Sequence, residues 1–205
     1  MITLFWCPQT RASRILWLLE EMKEPFEVQL IDIRKPESRS DPDFSAASPM
    51  GKVPAIMDTT PEGTVFLADS AAIALYLCDR YPASALAPVI GDPARGKFLY
   101  WMTFTPGVIE PAMMERFTEM KVSKASSGWG DFDTMIEVLE NGLKEGPWLM
   151  GETFSAADVL VGSSVYFMKM FGILPESSTL EDYGDRCAAR PACVSALARD
   201  SELKD

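Results

Sequence analysis

Histidine is absent from this chain of 205 residues. Ser-His-Asp hydrolases, Cys-His proteases and zinc or iron sites with imidazole ligands are therefore excluded. Basic residues are also scarce, since 19 Lys and Arg stand against 30 Asp and Glu, which gives a net charge of −11. Because binding to nucleic acids and to anionic membrane surfaces relies on clustered Lys and Arg, neither partner is expected.

Cysteine and long hydrophobic segments are also scarce. Four cysteines in a chain of this length do not make a disulfide framework, so we expect free thiols and a cytoplasmic location. No hydrophobic run reaches about 18 residues, which argues against a membrane-spanning helix. The first residues lack the basic and hydrophobic regions of a secretory signal peptide. What remains, 47% hydrophobic and 24% charged residues, is typical of a soluble globular protein.

Strand and helix patterns alternate in the first third of the chain. Hydrophobic residues recur at helical spacing over 10–22, whereas over 26–30 they alternate with polar residues as in a half-buried strand. The predicted elements are a strand at 2–6, a helix at 10–22, strands at 26–30, 53–57 and 64–67, and a helix at 70–81. The intervening helix predicts that the first two strands are parallel, and the short turn predicts that the last two are antiparallel.

Only helical patterns follow the segment 82–93, which contains three prolines and a glycine. A long helix over 94–120 is interrupted by Pro106-Gly107 and Pro111, which are expected to kink it. Ser155-Ala156-Ala157-Asp158 has the form of a capping box, in which the acid three residues after the cap reaches back to the cap backbone. The helices predicted in this part are at 94–120, 131–144, 155–171, 180–189 and 191–199.

Two domains follow from these patterns. Residues 1–81 combine strands and helices, 82–93 form a linker, and 94–205 are all-helical. Four short motifs occur in order along the chain. They are Cys7-Pro8-Gln9-Thr10, Gly51-Lys52-Val53-Pro54, Leu67-Ala68-Asp69-Ser70 and Phe154-Ser155-Ala156-Ala157-Asp158.

In this order and spacing, the four motifs resemble those of the glutathione transferase superfamily, in its bacterial form. Each motif alone is weak, but the resemblance covers essentially the whole chain. It implies an α/β thioredoxin-like N-terminal domain that binds glutathione, followed by an all-α helical C-terminal domain that carries a pocket for a hydrophobic electrophile. It also implies that the protein is a homodimer.

The first motif offers two groups for thiol chemistry at the start of a helix, where backbone N–H groups and the helix dipole favour an anion. The resemblance implies that the Thr10 hydroxyl donates to the sulfur of bound glutathione and favours its thiolate. Alternatively, Cys7 is itself the nucleophile and forms a mixed disulfide with glutathione. Purely structural roles are also open, with Cys7 as a small buried residue and Thr10 as a helix cap. Without an imidazole, activation of either thiol has to be electrostatic.

The resemblance assigns glutathione binding to residues of the second and third motifs. Val53, which precedes a cis Pro54, offers its backbone N–H and C=O to the cysteinyl part of glutathione. Lys52 supplies a cation for the glycyl carboxylate. Asp69 and Ser70, at the start of a helix, take the γ-glutamyl end. Asp is shorter than the Glu or Gln that is commoner in the family at this position, so its contact is direct, water-mediated or lost.

The remaining site predictions depend on the resemblance more loosely. Arg11 is assigned to glutathione, with the partner subunit and solvent as alternatives. The residues predicted to face the electrophile are Trp6, Phe104, Met113 and Arg116. The function implied is conjugation of the glutathione thiolate to a small hydrophobic electrophile in detoxification, with glutathione as co-substrate and no metal. The alternatives are a glutathione-dependent disulfide oxidoreductase or thiol transferase that uses Cys7, and a non-catalytic binding scaffold of the same fold.

Overall fold

The computed structural model describes residues 1–202. Its contacts divide the chain into two compact units, of which one is Met1–Ser84 with the described residues from Arg190 onward, and the other is Ala85–Ala189. The first unit contains a mixed β-sheet with helices and the second is helical, which confirms the predicted fold class. Among the described residues, no helix has the length and hydrophobic character needed to cross a membrane.

A four-stranded sheet forms the centre of the first unit. Its strands are β1 (Ile2–Trp6), β2 (Phe26–Leu30), β3 (Ala55–Thr60) and β4 (Gly63–Ala68). They lie in the order β2-β1-β3-β4, with β1 parallel to β2 and antiparallel to β3, and with β3 antiparallel to β4. The predicted parallel pair and the predicted hairpin are therefore both confirmed. Strand β3 begins later than predicted because Pro54 has no N–H to give to a neighbouring strand.

Three helices of the first unit are α1 (Ala12–Met22), α2 (Pro42–Ala47) and α3 (Ser70–Arg80). Helix α1 ends where Lys23 adopts a left-handed conformation (φ 59°) and returns its N–H to the Leu19 carbonyl at 3.1 Å. Helix α2 begins where the Asp41 carboxylate accepts the Phe44 N–H at 2.8 Å. The Phe44 ring then packs against Phe5 of β1, with ring centres 5.7 Å apart, and so joins α2 to the sheet.

The second unit consists of helices. These are α4 (Arg95–Phe104), α5 (Glu110–Thr118), α6 (Phe132–Gly142), α7 (Ala156–Met170) and α8 (Ser178–Ala188). A π-helical turn, Thr105–Ile109, connects α4 to α5 and contains Pro106. Because proline has no N–H for the ladder, the predicted interruption takes the form of this wider turn. Pro111 stands in the first turn of α5, where proline is tolerated.

The last helix, α9 (Pro191–Glu202), packs against α1 in the first unit. Arg190 binds both carboxylate oxygens of Glu21, at 2.5 and 2.7 Å. Near the other end of α9, Arg199 donates to Glu20 at 2.7 Å. The Arg199 guanidinium also lies 5.0 Å from the centre of the Phe26 ring, so it combines an ion pair with a cation–π contact. These contacts attach α9 to the rest of the first unit.

Asp158 organises the start of α7. Its carboxylate accepts hydrogen bonds from the backbone N–H groups of Leu149 and Ser155, both at 2.9 Å. It also accepts from the Ser155 hydroxyl and from the Tyr183 hydroxyl, each at 3.1 Å. The predicted capping box is present. Burial raises the pKa of Asp158, and its hydrogen bonds oppose that shift.

We expect Asp158→Ala to lower the free energy of unfolding by about 3 to 5 kcal/mol, because several buried donors lose their acceptor. Urea denaturation followed by circular dichroism measures the change. Asp182→Ala is the matched control, since Asp182 is an exposed acid on α8. Equal losses in the two variants would contradict the assigned role of Asp158.

Two tyrosines share a buried carboxylate in the first unit. The hydroxyls of Tyr76 and Tyr81 each donate to Oδ2 of Asp58 at 2.9 Å, and Asp58 is fully buried on β3. Burial, followed by the hydrogen bond to Asp58, raises the pKa of Tyr81 to about 12. The same two causes raise the pKa of Tyr76. Helix α3 and the residue after it are thereby tied to β3 by two neutral phenols.

We expect the free energy of unfolding to fall as the pH rises from about 10 to about 12. Unfolded tyrosines ionise near pH 10, whereas Tyr81 in the fold keeps its proton to about pH 12, so deprotonation favours the unfolded state first. Urea titrations across this range compare the wild type with a Tyr76→Phe, Tyr81→Phe double variant. The double variant should lose stability less steeply, and an equally steep loss in both proteins would refute the assignment.

Candidate active site

The register of the sheet brings the ends of its strands together at one edge. Phe5 of β1 pairs with Ala55 of β3, and Ala55 pairs in turn with Ala68 of β4. On the other side of β1, Trp6 pairs with Leu30, the last residue of β2. The carboxyl ends of β1, β2 and β4 and the amino end of β3 therefore lie side by side.

Three of the predicted motifs meet at this edge. Cys7 lies two residues beyond Phe5, Pro54 directly precedes Ala55, and Asp69 directly follows Ala68. The sequence separates these positions widely, and the sheet places them at the ends of neighbouring strands. We call this edge the sheet-end site.

The segment from Cys7 to Thr10 connects β1 to α1 and carries both candidate catalytic groups. The Thr10 hydroxyl donates to the Cys7 carbonyl at 2.7 Å and accepts the Ala12 N–H at 3.2 Å. Thr10 is half-buried, whereas Cys7 is only 1% exposed. The cap-like role considered for Thr10 is therefore present, and the hydroxyl also stands at the start of α1, where an anion is favoured.

Arg34 reaches this segment from the loop after β2, and sequence reasoning missed it. Its guanidinium lies 3.5 Å from the Cys7 sulfur and donates to the Pro8 carbonyl at 3.3 Å. An ion pair with Asp32, at 3.8 Å, accompanies these contacts. The parallel pairing of β1 and β2, which the sequence did predict, could have pointed to Arg34, since it brings the exits of both strands together.

Asp200 of α9 also contacts the segment, from 191 positions further along the chain. Its carboxylate accepts the Gln9 N–H at 3.2 Å. Gln9 has a φ of 58°, in the left-handed region that non-glycine residues seldom adopt. No sequence signal links two positions so far apart.

Ser48 holds the loop that precedes β3. Its hydroxyl donates to the Lys52 carbonyl at 2.7 Å and accepts the Lys52 N–H at 2.9 Å. Ser48 is buried, the Lys52 side chain is exposed, and Val53 is buried in front of a cis peptide bond to Pro54. The backbone beside Val53 is thus fixed by a hydroxyl that sequence reasoning did not single out.

Asp69 and Ser70 open α3. Asp69 is exposed and has a φ of 75°, and its carboxylate accepts the Ala71 N–H at 3.0 Å. Ser70, the first residue of the helix, is buried. A non-glycine residue held at positive φ stores strain that the surrounding structure has to offset, and such residues cluster at functional sites. The exposed Asp69 carboxylate and the start of α3 thus lie together at this edge of the sheet.

The other predicted residues are distributed over both units. Arg11 is exposed and directly precedes α1, whereas Trp6 is fully buried in β1. In the helical unit, Phe104 is buried, Met113 is half-buried, and Arg116 is exposed with its guanidinium 5.5 Å from the centre of the Phe132 ring. Their roles toward an electrophile stay predictions. Within residues 1–202, the structure groups no three His, Cys, Asp or Glu side chains as metal ligands.

Residues 6–80 match the sequence profile described as "Glutathione S-transferase, N-terminal domain". Over 177 residues, the chain is 28% identical to Glutathione S-transferase 3 of Schizosaccharomyces pombe, covering 77% of this chain and 70% of that protein. It is 25% identical over 209 residues to the disulfide-bond oxidoreductase YfcG of Escherichia coli, covering 97% of this chain and 95% of that one.

A solved structure agrees with these relatives. The sphingomonad glutathione S-transferase in complex with glutathione superimposes with a TM-score of 0.77 and 27% identity, covering 97% of this chain and 98% of that chain. The match thus extends over both units. Residues 6–80 therefore form a glutathione S-transferase N-terminal domain, and the chain as a whole is similar in sequence and fold to members of the glutathione S-transferase superfamily.

Proposed function

We propose that this protein is a glutathione transferase that joins the thiolate of glutathione to a small hydrophobic electrophile. The observation that carries the proposal is the difference between the two candidate groups. Thr10 presents a half-buried hydroxyl at the start of α1, whereas Cys7 is buried to 1% exposure. A hydroxyl can stabilise the sulfur of a bound thiol from this position, but a buried cysteine has to be uncovered before its sulfur can attack a disulfide.

The sheet-end site has a complementary group for each part of glutathione. The backbone beside Val53 is available to pair with the cysteinyl unit as an added strand does. Lys52 suits the glycyl carboxylate, and Asp69 suits the γ-glutamyl ammonium. The buried Ser70 and the start of α3 suit the γ-glutamyl carboxylate. Support comes from the related sphingomonad enzyme, which was solved with glutathione.

Thiol activation in this proposal relies on the Thr10 hydroxyl. In the structure its proton goes to the Cys7 carbonyl, so it turns toward the ligand when glutathione binds. It then donates to the thiolate, while the Ala12 N–H keeps the hydroxyl oxygen in place. Because the chain has no histidine, we expect a rise of the conjugation rate near neutral pH to report the ionisation of the bound glutathione thiol.

The oligomeric state, the cellular location and the physiological role in this proposal are taken from the family resemblance. We propose a cytoplasmic homodimer that acts in detoxification, takes glutathione as co-substrate and uses no metal. Arg11 is proposed to contribute to glutathione binding, since it is exposed directly before α1. The electrophile is proposed to meet hydrophobic and aromatic side chains of the helical unit.

A second candidate function is disulfide exchange at Cys7. The specific observation in its favour is the Arg34 guanidinium, which lies 3.5 Å from the Cys7 sulfur and donates a hydrogen bond to it. In this reaction the Cys7 thiolate attacks one sulfur of oxidised glutathione. A Cys7–glutathione disulfide forms, the original disulfide breaks, and one glutathione leaves as its thiolate. The relative YfcG is named a disulfide-bond oxidoreductase.

We expect Thr10→Val to lower kcat/KM for conjugation by about a hundredfold, because the thiolate loses its hydroxyl donor. The rate is followed by absorbance with a chlorinated dinitrobenzene as electrophile. Thr10→Ser is the matched control and should keep most of the activity, since it retains the hydroxyl. Cys7→Ser should also retain activity.

The opposite pattern would favour disulfide exchange. Loss of activity in Cys7→Ser, together with full activity in Thr10→Val, would overturn the transferase assignment. Mass spectrometry after treatment with oxidised glutathione provides the second measurement. A reductant-sensitive adduct with the mass of one glutathione, absent from Cys7→Ser, would identify Cys7 as the working group.

We expect Ser48→Ala to weaken glutathione binding about tenfold, or ~1.4 kcal/mol, because the Lys52 backbone next to the binding strand loses two hydrogen bonds. Isothermal titration measures the affinity. The control is Ser126→Ala, which removes an exposed hydroxyl that also donates to a carbonyl, that of Ser123. Unchanged affinity in Ser48→Ala would contradict this role, and no glutathione binding by the wild type would favour the non-catalytic scaffold.

A further inference from the structure

The conformation of the segment Cys7–Thr10 depends on a contact from outside it. Gln9 is exposed and adopts a φ of 58°, which costs energy for a residue with a side chain. Such a conformation persists only when its surroundings fix it. Here the Gln9 N–H donates to the Asp200 carboxylate at 3.2 Å, and hydrogen bonds to a charged acceptor are stronger than neutral ones.

Asp200 is itself firmly placed. It is 9% exposed and lies on α9 next to Arg199, whose guanidinium binds Glu20 of α1 and the Phe26 ring. Ten positions earlier, Arg190 forms its two hydrogen bonds to Glu21 of α1. The helix therefore lies along α1, and Asp200 meets the residue that stands just before Thr10.

The peptide unit between Pro8 and Gln9 is held at both of its polar groups. Arg34 donates to the carbonyl of Pro8, and Asp200 accepts the N–H of Gln9. Between them they fix the orientation of this one peptide unit, which stands one residue ahead of Thr10. The position of the Thr10 hydroxyl depends on that backbone, because Thr10 directly follows Gln9 and its hydroxyl oxygen accepts the Ala12 N–H ahead of it.

We propose that Asp200 is a positioning residue for thiol activation, which acts through the Gln9 backbone on Thr10 and does not touch glutathione. The inference rests on the proposed function, and it adds α9 to the glutathione site. In this proposal the Asp200 carboxylate acts as the hydrogen-bond acceptor of the Gln9 N–H. A negative charge acting directly on a nearby thiolate would have the opposite effect, since it disfavours a second anion. The two roles are therefore separable by experiment.

The test compares Asp200→Ala and Asp200→Asn with the wild type in two measurements. One is kcat for conjugation, and the other is the ultraviolet titration of the thiolate in the glutathione complex. Asp200→Ala should lower kcat by about tenfold to a hundredfold and move the thiol titration to higher pH, because Thr10 is no longer held in place. Asp200→Asn keeps an oxygen acceptor and should restore both values toward those of the wild type.

Ser201→Ala is the matched control on the same helix turn, because the Ser201 hydroxyl is exposed and bonds to the Ala198 carbonyl. It should behave as the wild type. Unchanged kcat and titration in Asp200→Ala would overturn the proposal. A titration that moves to lower pH in both Asp200 variants would also overturn it, since the carboxylate would then act as a charge.

A further variant keeps the test decisive if Asp200→Ala does not fold. Arg199→Ala loosens α9 beside Asp200 and should move the thiol titration to higher pH, whereas an unmoved titration would overturn the proposal. Failure of the proposed function has a different signature. A wild-type protein that binds glutathione without conjugating it, or does not bind it, would refute the transferase assignment before any Asp200 variant is compared.

Discussion

The register of β1 against its two neighbours is the constraint on which the site depends. Strand β1 is buried along its whole length and pairs with β2 on one side and β3 on the other. A slip of one residue would turn every side chain of β1 to the opposite face, so the buried strand strongly specifies its register. That register brings Cys7 and Pro54 to the same edge of the sheet, and the pairing of β3 with β4 adds Asp69.

Local patterns were enough to predict the four strands, most of the helices and the motifs. Period-two alternation predicted β2, helical spacing predicted α1, and the spacing of Ser155 and Asp158 predicted the capping box that the structure contains. The cis peptide at Val53–Pro54 came from the family resemblance. Boundaries were less accurate, as at β3, because hydrophobic character does not show which residue first donates to a neighbouring strand.

The supporting contacts of the site were not predictable in the same way. Ser48, Arg34 and Asp200 are single polar residues outside the predicted motifs, and their types suit a solvent-exposed position equally well. What distinguishes them is the backbone group that each one meets, and the fold decides that. Sequence motifs therefore predicted the groups that we propose to face the ligand, but not the residues that hold those groups in place.

The position of α9 has a consequence for the order of events during synthesis. The Gln9 amide is made early, but its acceptor on Asp200 is added 191 residues later. At ordinary rates of translation, this interval lasts on the order of 10 to 40 seconds. During that time the ribosome-bound chain can form β1 to β4 without the contact that fixes Gln9. The segment Cys7–Thr10 therefore acquires its last contact only when nearly the whole described chain has been synthesised.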